Sequence, residues 1–518
     1  MFLTACRRTG FGVLLAGAML TSCGGRSGIP EGDGTGPLVP CNSGSDCFDG
    51  NLCRTRSCQE GYCKTVATEL CDDGDVCTTD SCEPSTGACV FQLRVADNDG
   101  DGFIAALPGT VPGTAGSCGN DCNDSNASIY PNAPEICDGV DNNCNGVIDE
   151  GVNAYSPVTS PIQISDDSFT VGSADDIVYD GNRFGVSWTG QQRDGNYQGY
   201  ISSYDIFGFS QIPTKNISQT SNNSYGGPLI WTGSAYATAW EVRAEKGYDV
   251  VFNQLDSDGK KLGPDVRITN NRGFSVQPAL LWNGVDYSVV WSDDNGGDLF
   301  QIYGLKVESS GQLSEPNALT NAIVDARAPR IVGSPTSTLL VYLSGSSQRL
   351  LGQMLKADLT PDGSAFYITD EGAYDFSVAW VSDRFVIAFS IEQVDVGDAI
   401  WAATFDPNGK PIAPAQRITD GANFARSPSV LSLGDRFALA WSDDRLQYDH
   451  YGIRLRTYDA NLNPLAAITS LVETSSDSIY PSLAAGGSGM ALAFRSRDNG
   501  TPGQPYFLPL ACSGAFGF

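Results

Sequence analysis

The stretch Pro278–Trp291, PALLWNGVDYSVVW, contains two short alternating apolar strands separated by Asn-Gly, and it ends on an aromatic residue. The same pattern recurs along the last two-thirds of the chain with a period of about 50 residues. A repeat of this length defines one structural unit that is copied along the chain. The closing aromatic residue falls at intervals of 52, 51, 51, 47, 52 and 53 residues, at Trp188, Trp240, Trp291, Tyr342, Phe389, Trp441 and Phe494.

A second series, which pairs Ile or Leu with Ser or Thr, also has seven members. Each repeat reads as about four short strands, and a four-stranded sheet of this size buries both faces only when neighbouring copies stack. We therefore predict an all-β fold, with a seven-bladed β-propeller over residues 156–512. The members of the second series are Ile164-Ser165, Ile217-Ser218, Ile268-Thr269, Leu319-Thr320, Ile368-Thr369, Ile418-Thr419 and Ile468-Thr469.

The two series are offset along the chain. The Ile-Ser/Thr series begins before the first aromatic residue, and the aromatic series ends after the last Ile-Thr pair. This offset predicts that Pro161–Ser165 completes the sheet that Pro481–Leu510 begins. Such a closure would leave no strand edge unpaired.

The charge balance limits the partners of the chain. Its 518 residues include 31 Lys and Arg against 60 Asp and Glu, a formal net charge of -29. This charge opposes binding to nucleic acid or to an anionic lipid surface, and it favours cations. A chain of this length also predicts more than one domain.

The N-terminus has the pattern of an export signal: Arg7 and Arg8 precede the apolar run Phe11–Leu20, which is too short to span a bilayer. Leu20-Thr21-Ser22-Cys23 resembles the lipobox of bacterial lipoproteins, with Ser22 a less common residue before the cysteine. The resemblance implies a signal peptide over residues 1–22, an acylated Cys23, a Gly- and Pro-rich tether over residues 23–40 and an outer-membrane lipoprotein. An ordinary secretory signal is the alternative.

Sixteen cysteines in an exported chain predict disulfides. Residues 41–92 contain two modules of four cysteines with similar spacing and too little apolar sequence for a core, so bridges are expected to hold them. Cys41 is left over, and we predict that it pairs with Cys512. The cysteines expected in disulfides are Cys47, Cys53, Cys58, Cys63, Cys71, Cys77, Cys82, Cys89, Cys118, Cys122, Cys137 and Cys144.

The segment Val95–Gly151 contains ten Asp or Glu and no Lys or Arg. A bound divalent cation is the simplest way to neutralise carboxylates at this density. Asp97–Gly102 places Asp97, Asp99 and Asp101 at positions 1, 3 and 5 of a calcium-type loop, with Gly at position 6. A second loop starts at Asp141. It offers Asn143 and Asn145 at positions 3 and 5 and Asp149 at position 9.

Both loops lack the Glu at position 12 that completes an EF-hand, because Pro108 and Val152 stand there. They therefore need further ligands, and Asp121, Asp124, Asn126 and Asp138 are the candidates. Hard oxygen ligands at alternate positions favour Ca2+ over a soft transition metal.

The order of these motifs resembles the MopE-type metal-binding motif of bacterial surface proteins. The resemblance covers residues 97–151, within a module of residues 93–151, and it includes Ile129–Gly146 and Ile148–Gly151. The family name implies copper. This segment contains no His or Met, and its four Cys can pair with one another, so Ca2+ remains the favoured metal. Solvated turns without an ion, an ion with a structural role, and a regulatory or metal-acquiring role stay open.

Signs of catalysis are weak. The chain contains one histidine, His450, and it has no nucleophile-elbow or His-metal signature. Asp293-Asp294 and Asp443-Asp444 follow Trp-Ser in two repeats, and acid pairs at a propeller mouth can act on sugars. Because the same four residues recur at the same place, we favour a structural role for them.

The periodic aromatic residues are expected to pack between blades rather than to stack on sugars. Trp380, Trp401 and the polar tip Glu392–Asp398 have no strict counterpart in other repeats, so they are candidates for a ligand face. The sequence as a whole predicts an outer-membrane lipoprotein, at the cell surface or on the periplasmic face, with a metal-binding stalk and a propeller that binds a protein or glycan. A carbohydrate-active hydrolase and a purely structural surface protein are the alternatives.

Overall fold

The computed structural model describes residues 39–68, 71–133, 135, 140–146, 154–193, 195–321, 323–393, 397–419, 424–444, 450–473, 477–486, 489–497 and 501–512. The predicted signal peptide, Cys23, Cys137, Asp138 and Asp149 lie outside these ranges. Within them the regular structure is 33 β-strands and one 3-10 helix, which confirms the all-β class. No helix in the described ranges has the length and hydropathy needed to cross a membrane.

The chain divides into two compact units. The first contains the described residues up to Ala96 together with Ile104–Gly119, and the second contains Asp97–Phe103 and the residues from Asn120 onward. The first unit is two hairpins and a short helix. Its elements are the helix Gly44–Cys47, β1 (Arg54–Gln59), β2 (Tyr62–Thr68), β3 (Thr78–Cys82) and β4 (Cys89–Leu93).

Cysteines form the core of the first unit. Cys41, Cys47 and Cys63 pack together as a buried cluster in place of a larger apolar core. Disulfides are therefore confirmed, and they tie the two hairpins into one body, because one bridge joins β3 to the chain just before β1. The five bridges of this unit are Cys41–Cys58, Cys47–Cys63, Cys53–Cys82, Cys71–Cys89 and Cys77–Cys118.

The predicted Cys41–Cys512 bridge is wrong, because Cys41 pairs with Cys58. Cys41 lies against the β1–β2 hairpin, where its backbone amide donates to the carbonyl oxygen of Gly61 at 2.9 Å. This position brings it to Cys58 on β1. Cys512 is itself in a disulfide. The four cysteines from Cys118 to Cys144 do not pair only with one another either, since Cys118 joins Cys77.

Most of the second unit consists of antiparallel sheets whose neighbouring strands are consecutive in the chain. The first three sheets have four, five and four strands. Their members are β7 (Phe169–Tyr179), β8 (Phe184–Gln192), β9 (Tyr197–Tyr204) and β10 (Ser210–Asn216); β11 (Ser224–Tyr225), β12 (Leu229–Trp231), β13 (Tyr236–Ala244), β14 (Gly247–Leu255) and β15 (Val266–Arg267); and β16 (Ser275–Trp282), β17 (Asp286–Asp293), β18 (Gln301–Glu308) and β19 (Asn317–Ala318).

The next two repeats share one continuous seven-stranded path. They are joined by β23, a 16-residue strand whose first part pairs with β22 and whose second part pairs with β24. The link between these repeats is therefore itself a strand. The path consists of β20 (Ala326–Gly333), β21 (Thr338–Ser344), β22 (Arg349–Leu355), β23 (Phe366–Val381), β24 (Arg384–Gln393), β25 (Gly397–Phe405) and β26 (Pro411–Arg417).

The last two sheets end the described chain. The final sheet has the order β31-β32-β33-β5, and β6 also pairs with β33, so strands from before the first repeat complete it. The predicted pairing of the stretch around Gln163 with the last sheet is present, because Gln163 lies opposite Tyr506. The strands are β27 (Ala425–Ser432), β28 (Arg436–Asp443), β29 (Gly452–Asp459) and β30 (Thr469–Val472); and β31 (Asp477–Gly486), β32 (Gly489–Arg497), β33 (Gln504–Cys512), β5 (Tyr155–Pro157) and β6 (Ile162–Gln163).

Hydrophobic cores lie between consecutive sheets. The seven periodic aromatic residues are all at most 5% exposed, which confirms packing rather than surface stacking. One core combines Trp188 of β8 with Ala491 of β32 and Phe507 of β33, so the first and last sheets also pack together. Strands such as β17 are buried along almost their whole length because both of their faces are covered.

The Ile-Ser/Thr pairs mark where the outermost strand meets its neighbour. The backbone amide of Ile418 donates to the carbonyl oxygen of Ile400 at 2.8 Å, and Thr419 Oγ1 accepts the amide of Ile400 at 3.1 Å. Ile268-Thr269 makes the same two bonds with Val250. The hydroxyl therefore satisfies a strand amide at the end of the ladder, which explains why Ser or Thr recurs there.

Candidate metal centre

The loop Asp97–Gly102 is organised by its own carboxylates. Asp97 accepts the amide of Gly100 at 2.7 Å through Oδ1 and the amide of Gly102 at 3.0 Å through Oδ2. Gly102 has φ 96°, a conformation that glycine adopts without strain, and this explains Gly at position 6. The amide of Phe103 donates to Asp101 Oδ1 at 2.8 Å. The loop therefore curls around its carboxylates as the spacing predicts.

A second acidic segment lies against this loop. The backbone amide of Asn98 donates to Asp124 Oδ1 at 2.9 Å, and the side-chain amide of Asn98 donates to Asp124 Oδ2. The rings of Phe103 and Tyr130 stack with centroids 5.4 Å apart. These contacts bring Asp121 and Asp124 to the loop. Carboxylate oxygens of Asp99, Asp121 and Asp124 lie within 4.8 Å of one another, and so do those of Asp97, Asp99 and Asp101.

Three buried carboxylate oxygens at this point have no hydrogen-bond partner within the described residues: Asp99 Oδ2, Asp101 Oδ2 and Asp121 Oδ2. Asp121 is 2% exposed, and its other oxygen accepts the amide of Asn123 at 2.8 Å. A buried carboxylate oxygen without a donor costs free energy, and a bound cation would remove that cost. The geometry therefore fits a metal ion shared by the two segments.

Electrostatics agree with this geometry. Burial raises the pKa of the Asp121 carboxyl above its usual value, and the negative charges of Asp101, Asp99 and Asp124 raise it further, against one backbone hydrogen bond from Asn123 that lowers it. No Lys or Arg occurs in residues 95–151 to offset these charges. All the converging donors are oxygens, which suit a hard cation.

The second predicted loop has the same local geometry as the first. Asp141 Oδ2 accepts the amide of Gly146 at 2.7 Å, and Gly146 has φ 89°. Asn143 Oδ1 and Asp141 Oδ1 both accept the amide of Asn145, each at 3.1 Å. Asp141 is not part of either group of converging carboxylates among the described residues.

The Cys122–Cys144 disulfide joins the second loop to the segment that carries Asp121. Glu135, whose role the spacing did not indicate, accepts the amide of Asn143 at 2.8 Å. The amide of Tyr130 donates to the carbonyl oxygen of Asn142 at 2.9 Å. The second loop therefore supports the segment that carries Asp121. The sulfur atoms of Cys122 and Cys144 form a disulfide with each other, so they are not free thiolates that could bind a metal.

The repeated Trp-Ser-Asp-Asp motif has a structural role. Asp293 Oδ2 accepts Trp291 Nε1 at 2.8 Å and Ser275 Oγ at 2.8 Å, while its Oδ1 accepts the amide of Asn295 at 2.7 Å. Asp443 repeats the first bond with Trp441 Nε1 at 3.1 Å. Each carboxylate thus fixes the indole of its own repeat, as the recurrence of the motif indicated.

Two of the residues proposed for a ligand face are used in packing. Trp380 contacts Phe385 edge-on at 4.9 Å, and Trp231–Tyr236 and Trp282–Tyr287 form equivalent pairs at 4.7 and 4.5 Å. The expectation that Trp380 has no counterpart is therefore wrong. Trp401 packs against the core that contains Phe389.

Comparison with protein families supports the metal-binding interpretation. The Cu-binding MopE family, described as "Putative metal-binding motif", matches residues 121–150, and a Dictyostelium (slime mold) repeat matches residues 70–92. The chain thus contains this metal-binding motif from Asp121 onward, with the loop Asp97–Gly102 just before it. No curated protein matches the chain.

Several solved structures are similar to this chain at low identity. A GH43 endo-arabinanase from Bacillus licheniformis is 15% identical with a TM-score of 0.30, over 46% of this chain and 94% of its own. A structure from a study of two prolyl endopeptidases is 12% identical with a TM-score of 0.41, and the match covers 66% of this chain and 50% of the other. A mutant Trypanosoma rangeli sialidase displaying trans-sialidase activity is 7% identical with a TM-score of 0.37, and the match covers 56% of this chain and 55% of the other. TM-scores below 0.5 carry no argument about activity.

Proposed function

We propose that the acidic module binds Ca2+ and that it belongs to a lipid-anchored surface protein whose propeller binds a ligand. The observation that carries the metal proposal is the Asp121 carboxylate, which is buried with Oδ2 unpartnered among the described residues and lies next to Asp99 and Asp124. A divalent cation there would neutralise converging charges and hold the two segments together.

Calcium is favoured over copper by the donors. Ca2+ takes six to eight oxygen ligands, whereas copper prefers imidazole or soft sulfur. The described cysteines are paired, and residues 93–151 contain neither His nor Met. The ligands proposed from the described residues are Asp97, Asp99, Asp101, Asp121 and Asp124, with backbone carbonyl oxygens and water completing the coordination.

Calorimetric titration of the purified full-length chain with CaCl2 and with CuSO4 tests the metal proposal. Saturable binding of Ca2+ that survives an excess of Mg2+, with weak or no binding of Cu2+, is the expected result. Tight binding of Cu2+ alone would refute it, and so would the absence of any heat from either metal. The variant Asp258→Asn removes a carboxylate whose side chain is 76% exposed and lies outside the acidic module, so it should bind Ca2+ as tightly as the wild type does.

We also propose that the sheets of the second unit form a closed seven-bladed propeller, in which the β20–β26 path contributes two blades. The packing of Trp188 against Ala491 and Phe507 supports this, as does the pairing of β33 with β5 and β6. Seven aromatic residues at constant period, all buried, give one packing site per blade. Electron microscopy of the particle would test the blade number.

Binding is proposed rather than catalysis for the propeller. The carboxylates of Asp293 and Asp443, on which the hydrolase alternative depended, hold the indoles of Trp291 and Trp441. A protein or glycan ligand is therefore favoured. Glycan arrays and chromogenic glycosides distinguish the three classes of protein. Turnover would favour a hydrolase, and binding without turnover would favour a receptor. If neither is detected, a structural protein is favoured.

Anchoring by acylated Cys23 in the outer membrane stays a proposal from the sequence, since Cys23 lies outside the described residues. Labelling of cells with radioactive palmitate tests it. We expect label in the wild-type chain and none in Cys23→Ala. Equal labelling of both would contradict lipidation at this position.

A further inference from the structure

A cavity of about 1050 Å3 lies where strands of the repeats converge, and it has no role so far. Residues of β7, β12, β13, β16, β20, β21, β23, β27 and β31 line it. Its volume matches the pockets that hold small molecules. Seven charged residues line the cavity. Asp325 and Arg327 form an ion pair with each other, which leaves Asp175, Asp176, Glu241, Arg330 and Asp375.

Arg330 lines the cavity with its guanidinium not in an ion pair among the described residues. Within these residues it makes one hydrogen bond, from Nη1 to the carbonyl oxygen of the adjacent Pro329 at 3.1 Å, and its guanidinium carbon lies 5.9 Å from the centroid of the Phe376 ring. Desolvation lowers the pKa of Arg330, while the charges of Asp176 and Asp375 raise it. No carboxylate of the described residues forms an ion pair with it, so several of its donors remain available to a ligand.

Asp176 is held rigidly on another side of the cavity. Its Oδ2 accepts the amide of Leu229 at 3.0 Å, and its Oδ1 accepts the amide of Ile177 at 2.9 Å and Ser482 Oγ at 3.0 Å. These donors come from three different sheets. Asp176 therefore provides a fixed negative charge that acts on Arg330 across the cavity without touching it.

Three other carboxylates are each fixed by one oxygen. Asp175 Oδ2 accepts Thr189 Oγ1 at 2.8 Å, Glu241 Oε1 accepts the amide of Gln277 at 2.7 Å, and Asp375 Oδ2 accepts Ser427 Oγ at 3.1 Å. Within the described residues, the second oxygens of Asp175 and Glu241 accept no hydrogen bond, and all three carboxylates line the cavity. Burial raises the pKa of the Asp175 carboxyl, and the negative charges of Asp176 and Glu241 raise it further. A cation bound between Asp175 and Glu241 would favour release of the Asp175 proton.

The arrangement argues against a metal ion in this cavity. Among the described residues, the carboxylates of Asp175, Asp176, Glu241 and Asp375 do not converge as a group on one point, as metal ligands must. The acceptors are spread over the cavity, and a guanidinium faces them. A ligand that satisfies both must carry hydrogen-bond donors at one end and an anionic group at the other.

We propose that the cavity binds a small zwitterion, with a carboxylate on Arg330 and an ammonium group on Glu241, beside the Asp175 carboxyl. A guanidinium binds a carboxylate through two parallel hydrogen bonds, and an ammonium donates to several carboxylate oxygens at once. Free amino acids and short peptides have this chemistry. The inference rests on the proposed binding role of the propeller and names a ligand class for it.

Calorimetry on the full-length chain tests the proposal with the twenty L-amino acids, glycylglycine and triglycine as probes. The best binder is then compared with its N-acetylated form, which lacks the ammonium, and its amide, which lacks the carboxylate. We expect each blocked form to bind at least tenfold more weakly. Equal binding of a blocked form would overturn the proposal, and so would no binding by any probe.

Two variants locate the site. Arg330→Gln and Glu241→Gln should each weaken the best probe by tenfold or more, while the surface variants Arg349→Gln and Glu308→Gln should not change binding. Unchanged binding in Arg330→Gln would overturn the proposal. If Arg330→Gln does not fold, the blocked probes still decide. If the protein binds a neutral glycan but no zwitterion, the proposed ligand class is refuted and the proposed binding role of the propeller remains. If it binds neither, both the ligand class and the binding role are refuted.

Discussion

The backbone amide of Ile164 donates to the carbonyl oxygen of Pro505 at 2.9 Å, across 341 positions of the chain. The bond repeats the one that Ile418 makes with Ile400 inside a single repeat. Pro505 has no amide to donate, and Ser165 Oγ instead donates to Gln504 Oε1 at 2.7 Å. Residues from before the first repeat thus take the place of the missing outer strand of the last one.

Loss of the Ile164 side chain should weaken the proposed closure. Ile164 is 6% exposed in the core that joins the first and last sheets, so Ile164→Ala is expected to cost about 2–4 kcal/mol of unfolding free energy. Urea unfolding measures the change. Ile412→Ala, at a position 45% exposed, should change the midpoint little. Equal effects of the two substitutions would contradict the closure.

Removal of the buried charge at the metal centre should weaken Ca2+ binding. Asp121→Asn keeps the size of the side chain and loses one anionic ligand, and we expect at least a tenfold weaker affinity by calorimetry, with increased stability of the metal-free protein because a buried unpaired charge is gone. A variant that binds Ca2+ as tightly as the wild type would exclude Asp121 as a ligand.

The disulfide Cys122–Cys144 should also support metal affinity. Replacing both cysteines with Ser frees the second loop from the segment that carries Asp121, so we expect several-fold weaker Ca2+ binding. The matched control replaces Cys41 and Cys58, whose bridge belongs to the other unit. If both double variants lose equal affinity, the effect is not specific to the metal centre.

Stability should depend on pH through Asp175. Burial, first among the causes, raises the pKa of its carboxyl to about 8, well above about 3.9 in an unfolded chain. The folded state therefore binds a proton that the unfolded state releases between about pH 4 and 8, so stability falls as pH rises through that window.

Asp175→Asn removes this contribution. We expect the variant to match the wild type near pH 4 and to exceed it by roughly 1–3 kcal/mol at pH 8, because the amide carries no charge to bury. Urea midpoints at pH 4, 6 and 8 measure the difference. A difference between the two proteins that does not grow with pH would show that Asp175 is ionised in the fold.

The carboxylate of Asp293 should be needed for folding stability. Asp293→Ala leaves the Trp291 indole and Ser275 hydroxyl without their acceptor, at an expected cost of about 2–4 kcal/mol. Asp298→Ala, at an exposed loop position, should cost little. An Asp293→Ala protein as stable as the wild type would reopen a functional role for this acid pair.

The repeat landmarks predicted the fold well because they reflect packing and ladder bonds that every repeat needs. Trp188 and its counterparts are buried, and Thr419 and its counterparts satisfy strand amides. Spacing could not show that β23 would join two repeats, because the residues between Ile368 and Ala373 are polar or Gly and look like a turn in the sequence. Local patterns in the sequence therefore identified the sheets, whereas the hydrogen bonds between neighbouring repeats could be seen only in the structure.

The metal centre was also predictable only in part, because some of its features are local and others depend on contacts between distant segments. Positions 1, 3 and 5 of the Asp97 loop follow from chain geometry, whereas the burial of Asp121 depends on contacts between segments distant in the chain. Disulfide partners such as Cys53 and Cys82 likewise depend on how two hairpins pack. Arg330 lies on a strand whose sequence pattern does not distinguish it from other strands. Its place in the lining of a cavity depends on how several strands come together in the fold.

Crystallography of the protein saturated with CaCl2, using anomalous scattering to identify the ion, tests the central claim most directly. We expect one Ca2+ bound by Asp99, Asp121 and Asp124, with oxygen distances of about 2.3–2.6 Å. An ion found elsewhere would contradict the proposed centre. An Asp121 carboxylate that stays without a metal at saturating Ca2+ would contradict it equally.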